Sequence, residues 1–461
     1  MDDELTSKPA TELIQLIKTG ATCAVEVVES YLRRIERINP SLNAIVTISP
    51  DVLDRARAQD ARRREGSDAG PLHGLPITVK DTIDTEAIRT TYGSRLFADN
   101  LPARDAKVIA RLKAAGAIIL GKTNTPEMAL PYETDNPVFG RTNNPHDPHR
   151  TPGGSSGGEA AAVAARLSPA GVGSDLSGSI RVPAHFCGIA ALKPTTAAVS
   201  MDGHVPRAAG TLALGGSIGP MARCVADLAL LFPLMAEGTG DGSVIAAEKD
   251  PRPRVAWFVE NGVAPVTPAV ADAVKRAAQM LAEAGYEVCE ELPPAIGEGP
   301  RLWVELFSRA AAEQLRNLYD GREQDAGPGL LPSLRPGGAA TFEEKIANAE
   351  SVAKAIVERE RLREELLRWM KKTPVILSPV SATTAFAHGA QRVEVQGHSL
   401  SVFRSCSYSQ AINVFGLPAA TVPVLRDPEG LPAGVQIIGG PFNEAAVLRA
   451  AQVIEKSAEF F

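Results

Sequence analysis

Leu75-Pro76-Ile77-Thr78-Val79-Lys80 decides how this chain is read. A short apolar run that closes on a lysine predicts a buried strand with the lysine at its end. Downstream, Ala106 to Ala115 predicts a helix, and Ala117-Ile118-Ile119-Leu120 predicts a second buried strand. Strand, helix and strand in that order point to an α/β layer fold.

The same reading extends outward. Leu13, Leu16 and Ile17 recur at helical spacing. Val28, Tyr31, Leu32 and Ile35 do so too, until Asn39-Pro40 stops the run. Arg55 to Glu65 predicts a charged, exposed helix, which makes 1–66 an N-terminal helical region. Residues 131–158 are rich in Pro, Gly, Asn and Asp and predict a loop. Gly157 to Arg166, with its alanine run, predicts a close-packing helix, and Ala170 to Gly173 a short strand. Further helices are expected at 224–236, 268–284 and 443–455, with strands at Val255–Val259, near Val375–Leu377, at 419–424 and at 433–438. Two Gly/Pro-dense stretches, 292–300 and 321–340, read as linkers. Strand-like segments flank both, so 292–345 is expected to be an excursion from one domain rather than a boundary. No internal repeat is found.

Length and composition set outer limits. At about 150 residues per domain, 461 residues allow roughly three domains or one large α/β domain. Hydrophobic residues make up 44% and charged residues 22%, which is too apolar for a disordered chain. Lys and Arg number 48 against 54 Asp and Glu, a net charge of −6 with both signs scattered. Nucleic acid therefore lacks its main electrostatic attraction, and a membrane surface is equally unfavoured. No run approaches the roughly 20 apolar residues of a membrane span. The acidic start Met1-Asp2-Asp3-Glu4 is unlike a signal peptide. Five cysteines at wide, irregular spacing argue against a disulfide framework and for buried free thiols. Together these predict a cytoplasmic protein.

The chemistry concentrates in two Gly/Ser loops, Thr151-Pro152-Gly153-Gly154-Ser155-Ser156-Gly157-Gly158 and Gly173-Ser174-Asp175-Leu176-Ser177-Gly178-Ser179-Ile180-Arg181. Such loops are often only tight turns. A phosphate cradle of the Walker form needs a closing Gly-Lys-Ser/Thr, which neither has. Gly153-Gly154-Ser155-Ser156-Gly157 fits G-x-S-x-G, but the Pro-rich residues before it do not suit the central strand a nucleophile elbow requires. His185, His204, His388 and His398 lie downstream and read as ordinary core or surface histidines. His146 and His149 lack a third ligand at suitable spacing, so no metal site is expected. A serine nucleophile without histidine needs another base, and a desolvated, neutral lysine can serve. From position alone, Lys80 is either that base or a solvated charge.

The ordered set of motifs resembles the amidase signature family. It comprises Gly74-Leu75-Pro76-Ile77 with Val79-Lys80-Asp81, Gly121-Lys122-Thr123-Asn124 and both Gly/Ser loops. It continues with Asn143 and Pro145, Leu192-Lys193-Pro194-Thr195, Asn413 with Gly416-Leu417-Pro418-Ala419, and Gly430-Leu431-Pro432 with Gln436. The resemblance covers nearly the whole chain. It implies a single α/β/α domain around a large mixed sheet, with 67–200 as the signature core. It also implies a Ser–cis-Ser–Lys triad of Ser179 as nucleophile, Ser155 as bridge across a cis Gly154–Ser155 bond, and Lys80 as base. Backbone N–H groups of Leu176, Ser177, Gly178 and Ser179 would form the oxyanion hole. Asp175 and Arg181 would pin the loop. Ser177 departs from the glycine common at that position, and the turn is expected to tolerate it because the flanking motif is intact.

The implied activity is hydrolysis of small amides through an acyl-enzyme, without cofactor or metal. The chain is also similar to the metagenome-derived urethanases, a bacterial branch that cleaves carbamates. The alternative is the glutaminase subunit of a tRNA-dependent amidotransferase. Val182 stands where that subunit commonly carries Gln, which ranks it lower. Met128, Leu130 and Tyr132, with Leu176 and the 297–345 region, are the candidate substrate pocket. Leu330, Leu331, Leu334 and Phe342 need apolar cover, and with the glycines around them they suggest a lid over the site.

Overall fold

The computed structural model describes residues 2–66, 70–238, 252–335, 349–458 and 460. Thirteen strands are described: β1 Ile45–Ile48, β2 Pro76–Lys80, β3 Ile118–Thr123, β4 Ala170–Asp175, β5 Ala190–Lys193, β6 Ser217–Ala222, β7 Val255–Trp257, β8 Val288–Glu290, β9 Val375–Pro379, β10 Arg392–Val395, β11 His398–Ser401, β12 Ala419–Arg426 and β13 Pro432–Gly439. Eleven form one sheet in the order β1-β3-β2-β4-β6-β5-β12-β13-β9-β7-β8, and β10 and β11 form a separate hairpin. The large sheet is mixed. β2 runs parallel to β3 and β4, and β7 runs parallel to β8 and β9. The centre, from β4 through β13, is antiparallel.

Alternation along the strands explains the layers, because successive side chains point to opposite faces. Ala420, Val422 and Val424 of β12 and Val435 and Ile437 of β13 join one core with helices Val225–Met235, Pro268–Glu283 and Glu444–Ser457. Ala419 and Ile438 face the other way, into a second core with Val182, Phe186, Tyr408 and Phe307. Helices therefore cover both faces, giving an α/β/α arrangement.

Several local expectations change. The helix Ala24–Leu42 runs through Pro40 instead of stopping before it. The proline falls in the last turn, where little helix remains to be broken. Between the two Gly/Pro-dense stretches, 292–300 and 321–340, the excursion is helical. It holds helices Gly299–Trp303 and Arg309–Tyr319, joined by a π-helical turn at Val304–Ser308. Leu302, Leu306, Phe307, Ala312 and Leu315 are buried, and the flanking Gly/Pro clusters mask this helical apolar spacing in the sequence. Phe342 lies outside the described residues.

The fold sets the candidate site elements β2 and β4 side by side. β2 and β4 are parallel neighbours, with Thr78 opposite Gly171 and Val79 opposite Val172, so their carboxyl ends lie together. Open parallel edges of this kind place ligands beyond the strand ends. No helix among the described residues is long and apolar enough to cross a membrane.

Candidate active site

Lys80 closes β2 with no solvent exposure. Its Nζ lies 2.6 Å from Ser155 Oγ and 3.0 Å from Ser174 Oγ. Burial pulls its pKa down to about 7, while the carboxylates of Asp175 and Glu159 pull it partly back. An amine held this way is neutral over an accessible pH range and can accept a proton.

Ser155 precedes the helix Gly157–Ala164, and the Gly154–Ser155 peptide is cis. This helix seats against the sheet only because its neighbours are small. A Cβ on Gly158 would come within 2.4 Å of the Asn124 backbone, and one on Gly171 within 1.9 Å of the Glu159 carboxyl. Ser179 precedes the helix Arg181–Cys187. Its carbonyl accepts from the Ser156 N–H at 3.0 Å, tying the two serine loops together. The Ser179 side chain makes no hydrogen bond to any described residue and, like Ser155, lines the cavity.

The loop between β4 and Ser179 is braced from beneath. Asp175 and Arg181 are both fully buried and form a bidentate pair, Nε–Oδ2 and Nη2–Oδ1 each 3.0 Å. Burial alone would raise the Asp175 pKa, but the Arg181 guanidinium outweighs it and holds the carboxyl well below the usual range. Asp175 also accepts from the N–H groups of Gly178 (2.8 Å) and Ile180 (3.1 Å). Arg181 donates to Gln436 Oε1, to Asn413 Oδ1 and to the Ser409 carbonyl.

Of the four N–H groups expected to form an oxyanion hole, that of Gly178 is therefore engaged by Asp175. Those of Leu176, Ser177 and Ser179 have no partner among the described residues. Carbonyls on the same loop are tethered: Trp303 Nε1 donates to Leu176 O at 2.8 Å, and Tyr132 Oη to Ser177 O at 2.7 Å. Ser177 keeps a negative φ, so serine fits where glycine is common; Gly178, at φ 109°, takes the left-handed conformation instead.

These groups open on a cavity of ≈ 490 Å³. Met128, Leu130 and Tyr132 all line it, with Leu176, Trp303, Phe403, Phe386 and Leu330. The excursion therefore contributes to the wall, through Trp303 and through Gly327 to Leu330. Leu334 is buried against Tyr319 and Met128 and does not reach the cavity; Leu331 is exposed. The backbone of this wall is held down by Glu127, which accepts from Tyr319 Oη and the Gly327 N–H, both at 2.8 Å.

Sequence reading misses Ser174 and His204 as parts of this site. His204 lines the cavity, with Nε2 2.9 Å from Ser174 Oγ. No local pattern separates it from an ordinary histidine; only the fold brings it to Lys80. Trp303 falls within the 297–345 pocket candidate, but nothing in the sequence singles it out there. Among the described residues no cluster of three His, Cys, Asp or Glu side chains could hold a metal ion.

Residues 26–448 match the family model described as Amidase, and the chain belongs to the amidase signature family, whose enzymes hydrolyse amides. It is 35% identical to a glutamyl-tRNA(Gln) amidotransferase subunit of Chloroflexus aurantiacus, over 96% of this chain and 95% of that one. It is 33% identical to an indoleacetamide hydrolase of Bradyrhizobium diazoefficiens, over 97% of this chain and 86% of that one. Its structure is similar to that of a bacterial aryl acylamidase of the amidase signature family. The TM-score is 0.84 at 26% identity, covering 98% and 96% of the two chains.

Proposed function

We propose that this chain is a stand-alone serine hydrolase that cleaves small amides through an acyl-enzyme, and that its range extends to aryl esters and carbamates. The observation that carries the reading is the contact between a fully buried Lys80 and Ser155, 2.6 Å apart beside an apolar-walled cavity that Ser155 and Ser179 line.

In this reading Lys80 takes a proton from Ser155 as Ser155 takes one from Ser179. The Ser179 oxygen attacks the carbonyl carbon, and the tetrahedral oxyanion is received by the free N–H groups of Leu176, Ser177 and Ser179. The relay returns the proton to the leaving amine, the C–N bond breaks, and an ester to Ser179 remains. Water, deprotonated by the same relay, hydrolyses that ester. A carbamate offers the same carbonyl carbon, which supports urethanase activity on the same residues. The five cysteines are free, though only Cys187 and Cys406 are buried and Cys23, Cys224 and Cys289 are partly exposed against the expectation of buried thiols; free thiols suit a reducing compartment, so the enzyme is read as cytoplasmic. The single eleven-stranded sheet supports reading it as one domain.

A second reading is the glutaminase subunit of a tRNA-dependent amidotransferase, favoured by full-length similarity to such subunits. The purified chain alone on a panel of p-nitroanilide amides, carbamates and esters separates the two. Turnover without partners supports the hydrolase; glutamine hydrolysis only with partner subunits supports the other. Ser179→Ala should remove turnover and the mass adduct trapped on the Ser179 peptide. Ser155→Ala and Lys80→Ala should each cost about a hundredfold or more. Ser179→Ala with substantial remaining activity would dismiss the triad, and amide turnover with no carbamate turnover would dismiss the urethanase extension.

A further inference from the structure

We infer that His204 fixes the direction of the Ser174 hydroxyl and so reserves the lone pair of Lys80 for Ser155. The inference rests on the reading of Lys80 as the base.

The donor and acceptor roles follow from one carbonyl. His204 Nδ1 lies 2.8 Å from the Pro206 carbonyl oxygen, which can only accept, so Nδ1 carries the hydrogen. In a neutral imidazole Nε2 is then an acceptor. It lies 2.9 Å from Ser174 Oγ, so Ser174 donates its proton to His204. The Ser174 oxygen is left with lone pairs alone facing Lys80 Nζ at 3.0 Å. A neutral amine has two N–H groups and one lone pair. One N–H goes to Ser174, which leaves the lone pair free to face Ser155 at 2.6 Å, where the relay must collect its proton.

Without the His204 acceptor, Ser174 can turn and donate into that lone pair. The base is then engaged by the wrong serine. Three observations support the device. Burial, with a further contribution from Lys80, pulls the His204 pKa down to about 4, which keeps the ring neutral. His204 is held in place by a bridge to Ile83, and the adjacent Val205 N–H donates to the Thr82 carbonyl at 2.9 Å, just beyond Lys80 in the chain. Lys80 faces His204 across Ser174, and Glu159 and Asp175 are the other charged groups that act on it. His204 is thus a positioning residue that acts through Ser174.

The test uses His204→Leu, which fills the site without an acceptor, and His204→Gln, whose Oε1 can accept. On a small aryl amide, His204→Leu should lower kcat about tenfold or more with little change in KM. It should also move the acidic limb of the pH profile, on which Lys80 loses its proton, to lower pH, because donation from Ser174 stabilises the neutral amine. His204→Gln should recover much of the rate and return the limb. In a Ser174→Ala background, which removes the competing donor, adding His204→Leu should cost little more. If His204→Leu does not fold, His204→Asn replaces it, keeping a donor for Pro206 but none of the reach to Ser174. Equal rates for the Leu and Gln variants with an unmoved limb would reduce His204 to a packing element. Full multiplication of the losses in the double variant would mean that it does not act through Ser174. Lys80→Met serves as the control: retained turnover there would overturn the base reading itself, whereas an essential Lys80 with an unmoved limb would overturn only the role of His204.

Discussion

Trp303 Nε1 donates a 2.8 Å hydrogen bond to the carbonyl of Leu176. A peptide carbonyl and the N–H that follows it point in opposite directions, so the tryptophan aims the Ser177 N–H away from itself. The excursion thereby reaches the Leu176–Ser179 loop as well as the cavity wall. Trp303→Phe keeps the ring and deletes the bond. We expect kcat to fall about tenfold, less than complete loss of an oxyanion donor, with a smaller change in KM for the smallest amide. Equal kcat in steady-state kinetics would confine Trp303 to the pocket wall.

Activity should fall as the pH drops through about 7, the value to which burial lowers Lys80. Below it the folded enzyme carries a lysinium with no lone pair; above it the base is free. Stability follows the same group. The unfolded chain holds this proton up to a higher pH than the folded one, so the cost of burying Lys80 is full below about 7 and fades as the pH rises toward 10.5. Glu159, which burial raises to about 7, titrates in the same range. A pH–kcat/KM profile of Glu159→Gln tells them apart: the limb persists if it belongs to Lys80 and disappears if it belongs to Glu159.

The Asp175–Arg181 pair should be costly to break from one side. Arg181→Met leaves the Asp175 carboxylate buried and uncompensated, and breaking such a pair costs about 3–5 kcal/mol. Chemical denaturation should show this loss along with loss of turnover. A change below about 1 kcal/mol would mean that Asp175 is neutralised by other means.

Three neighbouring leucines should separate by position. Leu330 lines the cavity, so Leu330→Ala should raise rates for bulky over small substrates by several-fold. Leu334 is buried away from it, so Leu334→Ala should cost about 2–5 kcal/mol with an unchanged substrate ratio. Leu331 is 38% exposed, and Leu331→Ala should change neither. Identical effects of all three in substrate profiling and thermal melts would refute the assigned wall.

The sequence carries the α/β character and the motif-borne residues, because both are written locally. Apolar runs mark β2 and β3, and the Gly/Ser loops mark turns where backbones come close. What escapes is set by pairing distant in the chain. Nothing near His204 shows that β2 will be its neighbour. Nothing near Trp303 shows that its indole will meet Leu176. Pro40 reads as a stop when local preference is weighed without its position in a last helical turn. Asn413 and Gln436 stand out as motif residues, but their task, holding Arg181, becomes visible only once the helix Ser407–Val414 and β13 are placed.

That task also sets a timetable for synthesis. Arg181 is separated from Asn413 by 232 residues and from Gln436 by 255. The guanidinium that grips the Asp175–Ser179 loop therefore leaves the ribosome long before two of its own anchors exist. At about 5–20 residues per second, that interval lasts roughly 10–50 s. A nascent chain that already bears Lys80, Ser155 and Ser179 still lacks the clamp that shapes their loop. The loop gains its full set of braces only once the helix Ser407–Val414 and the strand Pro432–Gly439 have been made.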